Sequence, residues 1–224
     1  MLDPKGRVVM VSGARRGIGR AVAAHLRDLG CLVSAGVRAP EAADECRYEA
    51  TEPGSAEAWV AATVARFGRV DAVVNAAGIN PVATLLSEDE APHDAMWAVN
   101  VKGPLRVIRA AWPHLLACGQ GRVVNIASLS GKRVRNPNIG YAMSKYAVVA
   151  LTHGVRREGW DHGIRATALC PGFVETDMTA QSAHPREQMS RPEDIAVLVG
   201  TLLALPDHAV VAELLVNCRL EDML

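Results

Sequence analysis

The sequence predicts an α/β protein built on a doubly wound parallel sheet, and three observations predict it. Short apolar runs recur along the chain without polar alternation, as strands buried on both faces require. Amphipathic stretches of helical length separate most of them, which implies right-handed strand–helix–strand crossovers. A glycine-rich turn joins the first run directly to the first such stretch.

In chain order, the predicted strands are Val8–Val11, Cys31–Val37, Ala72–Asn75, Arg122–Ala127, Arg165–Leu169 and Glu213–Val216. Gly17–Leu29, Ala56–Phe67, Asp94–Leu116, Ile139–Trp160 and Pro192–Leu203 read as helices. Pro192 followed by Glu193 and Asp194 makes a good helix opening, because proline suits the first turn and acids favour the positive end of the dipole. Between Arg38 and Tyr48 there are only nine residues, so the second crossover is expected to shrink to a helical turn around Glu41–Cys46. No repeat, low-complexity tract or linker interrupts the chain, so one domain over residues 1–224 is expected.

Composition narrows the function classes. Lys+Arg and Asp+Glu balance at 24 each, so no net field draws the chain to nucleic acid or to an anionic membrane. The first apolar run is too short for a signal peptide, and no stretch approaches the roughly 20 apolar residues of a membrane span. Five widely spaced cysteines without a Cys-x-x-Cys pair read as buried, reduced thiols of a cytoplasmic protein. The histidines are scattered, and no metal site is expected.

In a sheet of this kind, ligands lie beyond the carboxyl ends of the strands. The first strand-to-helix turn is Ser12-Gly13-Ala14-Arg15-Arg16-Gly17-Ile18-Gly19. Gly13 allows a sharp exit from the strand, Gly17 clears the approach of a pyrophosphate to the helix N-terminus, and Gly19 permits close helix–sheet packing. The spacing is G-x-x-x-G-x-G. Later turns add Asn75-Ala76-Ala77-Gly78 after the third strand, Asn100 within Val99–Gly103, and Ser128 at the end of the fourth strand. Tyr141-Ala142-Met143-Ser144-Lys145 lies thirteen residues beyond Ser128, and Pro171-Gly172-Phe173-Val174-Glu175-Thr176 follows the fifth strand.

In this order and on these elements, the motifs resemble those of the short-chain dehydrogenase/reductases, from about Lys5 to Val216. The resemblance implies a Rossmann-type sheet of about seven strands and a reversible exchange of hydride between a nicotinamide cofactor and a small carbonyl or alcohol. It implies Asn100, Ser128, Tyr141 and Lys145 as the catalytic set. It also implies cofactor contacts from Gly13, Arg15, Arg16, Gly17, Ile18, Gly19, Arg38, Glu49, Asn75, Ala76, Ala77, Gly78, Tyr141, Lys145, Pro171, Gly172, Val174 and Thr176. The long helices around Asp94–Leu116 and Ile139–Trp160 correspond to those that pack across subunits in the family, implying a homodimer or homotetramer. Trp97, Trp112 and Trp160 belong either to that packing or to the core.

The residues support this chemistry on their own. Tyr141 and Lys145 share a helix face at a spacing of four. A free tyrosine titrates near about 10, so a neighbouring ammonium is expected to lower it into a range useful for proton transfer. Ser128 can hydrogen-bond the same substrate oxygen, and Asn100 is expected to hold a water that links Lys145 to solvent. The second strand ends in Ala35-Gly36-Val37-Arg38 and carries no acid to bind ribose hydroxyls. Arg38 and Arg16 together read as a clamp for a 2′-phosphate, which favours NADP(H) over NAD(H). Alternatives are NAD(H) use, epimerase or dehydratase chemistry, and a non-catalytic cofactor-binding protein.

The chain departs from the family pattern in places. Ala76 replaces one asparagine, Ser12 stands for threonine, and Glu49-Ala50 occupies the place of an Asp-hydrophobic pair at the adenine. The segment between Thr176 and Pro192, a substrate lid in the family, is short and polar.

Overall fold

The computed structural model describes residues 1–221. Seven strands form one wholly parallel sheet: β1 Val8–Ser12, β2 Leu32–Val37, β3 Glu45–Arg47, β4 Ala72–Asn75, β5 Arg122–Ile126, β6 Arg165–Pro171 and β7 Glu213–Val216. Their order across the sheet is β3-β2-β1-β4-β5-β6-β7. The winding therefore reverses between β1 and β4, where Ser12 is in register with Asn75. A crevice forms at such a reversal because consecutive crossovers leave in opposite directions.

Alternate residues of the central strands feed two separate cores. Val9, Val11, Val33, Val74 and Val124 face α1 (Gly17–Asp28) and α6 (Pro192–Ala204), packing with Val22, Leu26, Ile195 and Val199. Met10, Val73, Val123 and Ala166 face the opposite way. They meet α2 (Ser55–Phe67), α4 (Gly103–Ala117) and α5 (Ile139–Gly159) through Trp59, Val107, Leu115 and Val155. Both faces are covered, which is why the strands read as unbroken apolar runs.

Three expectations are corrected. The short crossover after Arg38 is not a helical turn around Glu41–Cys46. It folds through a turn closed by Glu45 Oε2, which accepts from the Glu41 and Ala42 amides, and emerges as the edge strand β3. On the opposite face of the sheet, α2 covers this part of β2. Trp59 donates from Nε1 to Ser34 Oγ at 2.9 Å, and a Cβ on Gly36 would stand 2.7 Å from its ring. Next, the helix expected over Asp94–Leu116 starts earlier and changes pitch. It runs as α3 (Ala91–Met96), a π-helical stretch Trp97–Lys102, and α4. Finally, all five cysteines are free, but only Cys31 and Cys170 are buried. Among the tryptophans, Trp97 and Trp160 lie on the surface, whereas Trp112 is partly buried against the core.

Candidate active site

The carboxyl ends of β1, β4, β5 and β6 carry the glycine-rich turn, the Asn75–Gly78 turn, Ser128 and the Pro171–Thr176 segment. Ser12 Oγ accepts from the Ala76 and Ala77 amides at 3.1 and 3.2 Å, pinning the Asn75–Gly78 turn against the glycine-rich turn. Gly13 sits at φ +67°, and a Cβ there would come within 2.8 Å of the Ala77 backbone. Gly17, at φ +52°, faces Thr176, and a Cβ on Gly19 would overlap the Gly13 carbonyl. Thus Gly13, Gly17, Ile18, Gly19, Ala76, Ala77, Gly78 and Thr176 converge on one cradle. No side chain caps the N-terminus of α1, so its first amides point into the cradle without an intramolecular acceptor. Such a terminus is suited to phosphate.

On the far side of the reversal, Asn75 Nδ2 donates to Asn125 Oδ1 at 2.8 Å, and Asn125 donates on to Thr152. Asn75 Oδ1 is buried without a hydrogen-bond partner among the described residues. Buried polar atoms of that kind are rare, and one aimed at a ligand crevice fits a ligand donor.

Asn100 stands in the π-helical stretch, a local widening that often marks functional sites. Its Oδ1 accepts from the Ile79 amide at 2.8 Å, and Nδ2 donates to the Ile79 carbonyl and to Ser144 Oγ. Ser144 donates in turn to the Tyr141 carbonyl at 2.8 Å. Asn100 therefore braces the start of α5 through Nδ2 while its Oδ1 holds the Ile79 backbone. Gly78 lies beside both groups, since a Cβ there would be 3.4 Å from Asn100 Oδ1 and 3.9 Å from Lys145 Nζ.

Ser128 lies just past the end of β5 and accepts from the Ser130 amide at 3.0 Å, which closes a 3-10 turn over Leu129–Gly131. Gly131 packs onto α5, where a Cβ would be 2.6 Å from the Lys145 carbonyl. This contact seats the Ser128 turn on the helix that carries Tyr141 and Lys145. Lys145, only 5% exposed, donates from Nζ to the Ile126 carbonyl at 2.8 Å and lies 5.6 Å from the Tyr141 ring centroid. Burial lowers its amine to about 8. The expected lowering of Tyr141 does not appear. Burial pushes the phenol up to about 12, with the Ser128 hydroxyl pulling weakly the other way. Desolvation outweighs that hydrogen bond.

At the carboxyl end of β2, Val37 is buried and Arg38 is exposed, with no ion pair among the described residues. Arg16 is the second arginine of the expected 2′-phosphate clamp. Arg16 reaches across the turn to Asp177 at 3.4 Å. Arg15 is drawn to the crossover instead, donating to the Ala39 carbonyl at 2.6 Å and pairing with Glu41 at 2.8 Å. Glu49 turns its carboxylate back onto Thr51, through both the amide and the hydroxyl.

The loop after β6 begins at Pro171. The Gly172 amide donates to the Val216 carbonyl, and Val174 bridges to Ser190. Thr176 and Thr179 form a reciprocal capping pair. Phe173 stacks on His184 with centroids 4.9 Å apart, tying the lid segment to this loop.

Sequence reasoning missed Asn125, Ser144 and the Ile126 carbonyl. Ser144 had a signal, since it lies three residues from Tyr141 and within the same motif. The other two depend on strand register.

Comparison with known proteins agrees with this geometry. A family model described as short chain dehydrogenase matches residues 7–187. An agropine synthesis reductase of Rhizobium rhizogenes is 37% identical over 229 residues. That match takes in 96% of this chain but only 53% of the relative, so the chain spans about half the relative's length. An uncharacterized oxidoreductase of Staphylococcus epidermidis is 30% identical, with 97% of this chain and 99% of the relative covered. Among solved structures, a dehydrogenase/reductase from Sinorhizobium meliloti superposes with a TM-score of 0.85 at 29% identity, covering 96% of this chain and 94% of that one. The ligand-free aldohexose dehydrogenase of Thermoplasma acidophilum, at 24% identity, shares the fold with a TM-score of 0.88 over 96% of this chain and 94% of that one. No helix among the described residues is long and apolar enough to cross a membrane.

Proposed function

The chain belongs to the short-chain dehydrogenases, and from that premise we propose that it is an NADP(H)-dependent oxidoreductase interconverting a small carbonyl compound and its alcohol. The observation that carries this reading is the seating of Ser128 and Tyr141 beside buried Lys145, next to the phosphate cradle at the sheet reversal.

The cradle fits a dinucleotide. Gly13, Gly17, Ile18 and Gly19 with the uncapped amides of α1 would hold the pyrophosphate. Asn75–Gly78 and the Pro171–Thr176 loop would flank the remainder, with Lys145 toward the nicotinamide ribose. When bound, the nicotinamide supplies hydride exchange with the substrate carbon.

The chain's own residues handle the proton. In the reducing direction Tyr141, fully protonated near neutrality because burial holds it near 12, gives its phenolic proton to the substrate oxygen. Ser128 donates a hydrogen bond to the same oxygen and fixes it beside the phenol. The Lys145 ammonium offsets the phenolate left behind. Asn100 acts by position, holding α5 and hence Tyr141 through Ser144.

The unpaired Arg38 and the missing acid at Val37 support NADP(H). One observation favours NAD(H) instead. Glu41 stands beside Arg15 on the adenosine side, where a carboxylate can accept from ribose hydroxyls. We further assign the chain to the cytoplasm as a single domain that self-associates through the exposed Trp97, Met143 and Tyr146.

The test is NADPH consumption across aldehydes, ketones and sugars, repeated with NADH. Turnover that favours NADPH and loses that preference in Arg38→Ala supports the reading. Equal efficiency with NADH, unchanged by Arg38→Ala, overturns the cofactor assignment. Cofactor binding without turnover on any substrate favours the binding-protein alternative.

A further inference from the structure

The stretch from Ser128 to Tyr141 also carries Arg133 and Arg135, and these converge on one carboxylate. Glu221 Oε2 accepts from Arg133 Nε at 3.0 Å, from Arg133 Nη2 at 2.9 Å and from Arg135 Nη1 at 2.9 Å. Glu221 Oε1 faces Arg219 Nε at 3.4 Å. Arg133 is 7% exposed and Glu221 5%. Among the described residues, three guanidinium groups thus meet a single carboxylate, with Arg133 and Glu221 buried and Arg135 and Arg219 partly exposed. Burying an arginine is expensive, and among these residues one carboxylate faces three cations.

The location matters as much as the charge. The Arg133 amide donates to the Leu129 carbonyl, so its backbone is fixed to the 3-10 turn that presents Ser128. Glu221 arrives from the segment after β7, which passes the Pro171–Thr176 loop. There Val216 accepts from Gly172, and Cys218 Sγ lies 3.8 Å from His184 Nε2 on the lid. Arg219 also stacks over Phe173, 5.3 Å from its centroid. Glu221 therefore reaches its arginines from a segment fastened to the loop that follows β6.

We propose that Arg133 and Arg135 form a carboxylate subsite for the substrate, which the Glu221 side chain fills from within the chain. This rests on the oxidoreductase reading and names its substrate class: a carbonyl compound or alcohol that also bears a carboxylate. The planar fork of arginine suits a carboxylate, and Arg133 already binds one through two nitrogens. An incoming substrate carboxylate displaces Glu221 and is held while its carbonyl meets Ser128 and Tyr141.

Binding of succinate, with uncharged succinamide as comparator, tests the subsite by calorimetry on the whole chain without any need for turnover. Glu221→Gln removes the internal competitor, so succinate should bind roughly tenfold tighter or more than to the unaltered protein. Adding Arg135→Met, a substitution at a half-exposed residue, should abolish that gain, and succinamide should bind none of the variants. Succinate affinity unchanged in Glu221→Gln, or a gain that survives Arg135→Met, overturns the proposal. NADPH binding followed by fluorescence, together with turnover of succinic semialdehyde against butanal, separates the two readings. Arg135→Met should raise KM for the semialdehyde roughly tenfold and leave that for butanal unchanged. Succinate binding as expected with no turnover of either aldehyde would count against the oxidoreductase reading and leave the subsite standing.

Discussion

At the scale of single residues, Tyr141 and Lys145 work through burial more than through each other. The phenol is held near 12 and the amine near 8, both by desolvation. Tyr141→Phe removes the proton donor and keeps the ring, so the fold should persist while turnover falls by about 10²–10⁴, the usual worth of a positioned acid. Rate measurements beside a thermal unfolding curve would separate the two effects. A pH dependence follows as well. Tyr141 keeps its proton across the neutral range, but Lys145 is an ammonium only below about 8. Reductive kcat/KM, which reports groups of the free enzyme, should therefore be level at lower pH and fall as pH rises through about 8. A profile that is flat to pH 10 would show that the lysine charge has no part in proton transfer.

At the scale of elements, the buried strands were legible because covering both faces forces unbroken apolar runs. The glycine turn was legible because its residues serve the backbone locally. Three features were not. Glu45-Cys46-Arg47 pairs as an edge strand through its main chain alone, and its polar side chains give no sign of it. The π-helical stretch around Asn100 is a change of backbone pitch that composition does not encode. Arg133 and Glu221 meet across 88 residues of sequence, so their pairing depends on the whole sheet being assembled. The packing of α2 on β2 has a measurable consequence. Because the Trp59 indole lies against Gly36, Gly36→Ala places a methyl 2.7 Å from it. Overpacking of this kind costs about 1–3 kcal/mol. Urea unfolding should show that loss, and an unchanged midpoint would mean that the indole moves aside freely.

At the scale of the whole molecule, two carboxylates fasten the last strand and the segment beyond it to the rest of the site. Glu213 on β7 pairs with Lys132 beside the Ser128 turn at 2.6 Å and with His153 of α5 at 2.7 Å. Glu221 pairs with Arg133 and Arg135. The Lys132 hydrogen bond holds Glu213 below its ordinary 4.5 against the opposing effect of burial. For Glu221, burial pushes upward, but the arginines more than offset it and leave the group lowered. A carboxylate with a lower pKa in the folded state than in the unfolded state stabilises the fold at pH values above its unfolded pKa. That contribution disappears as pH falls through the folded value. Thermal stability should therefore be level from pH 7 down to about pH 5.5 and then decline steeply below the ordinary 4.5. Glu213→Gln should lower the unfolding temperature at pH 7 and flatten the acid decline, because a neutral amide removes both the attraction and its titration. An acid decline as steep in Glu213→Gln as in the unaltered chain would mean that other carboxylates, and not the fastening of β7, set the acid limit of the fold.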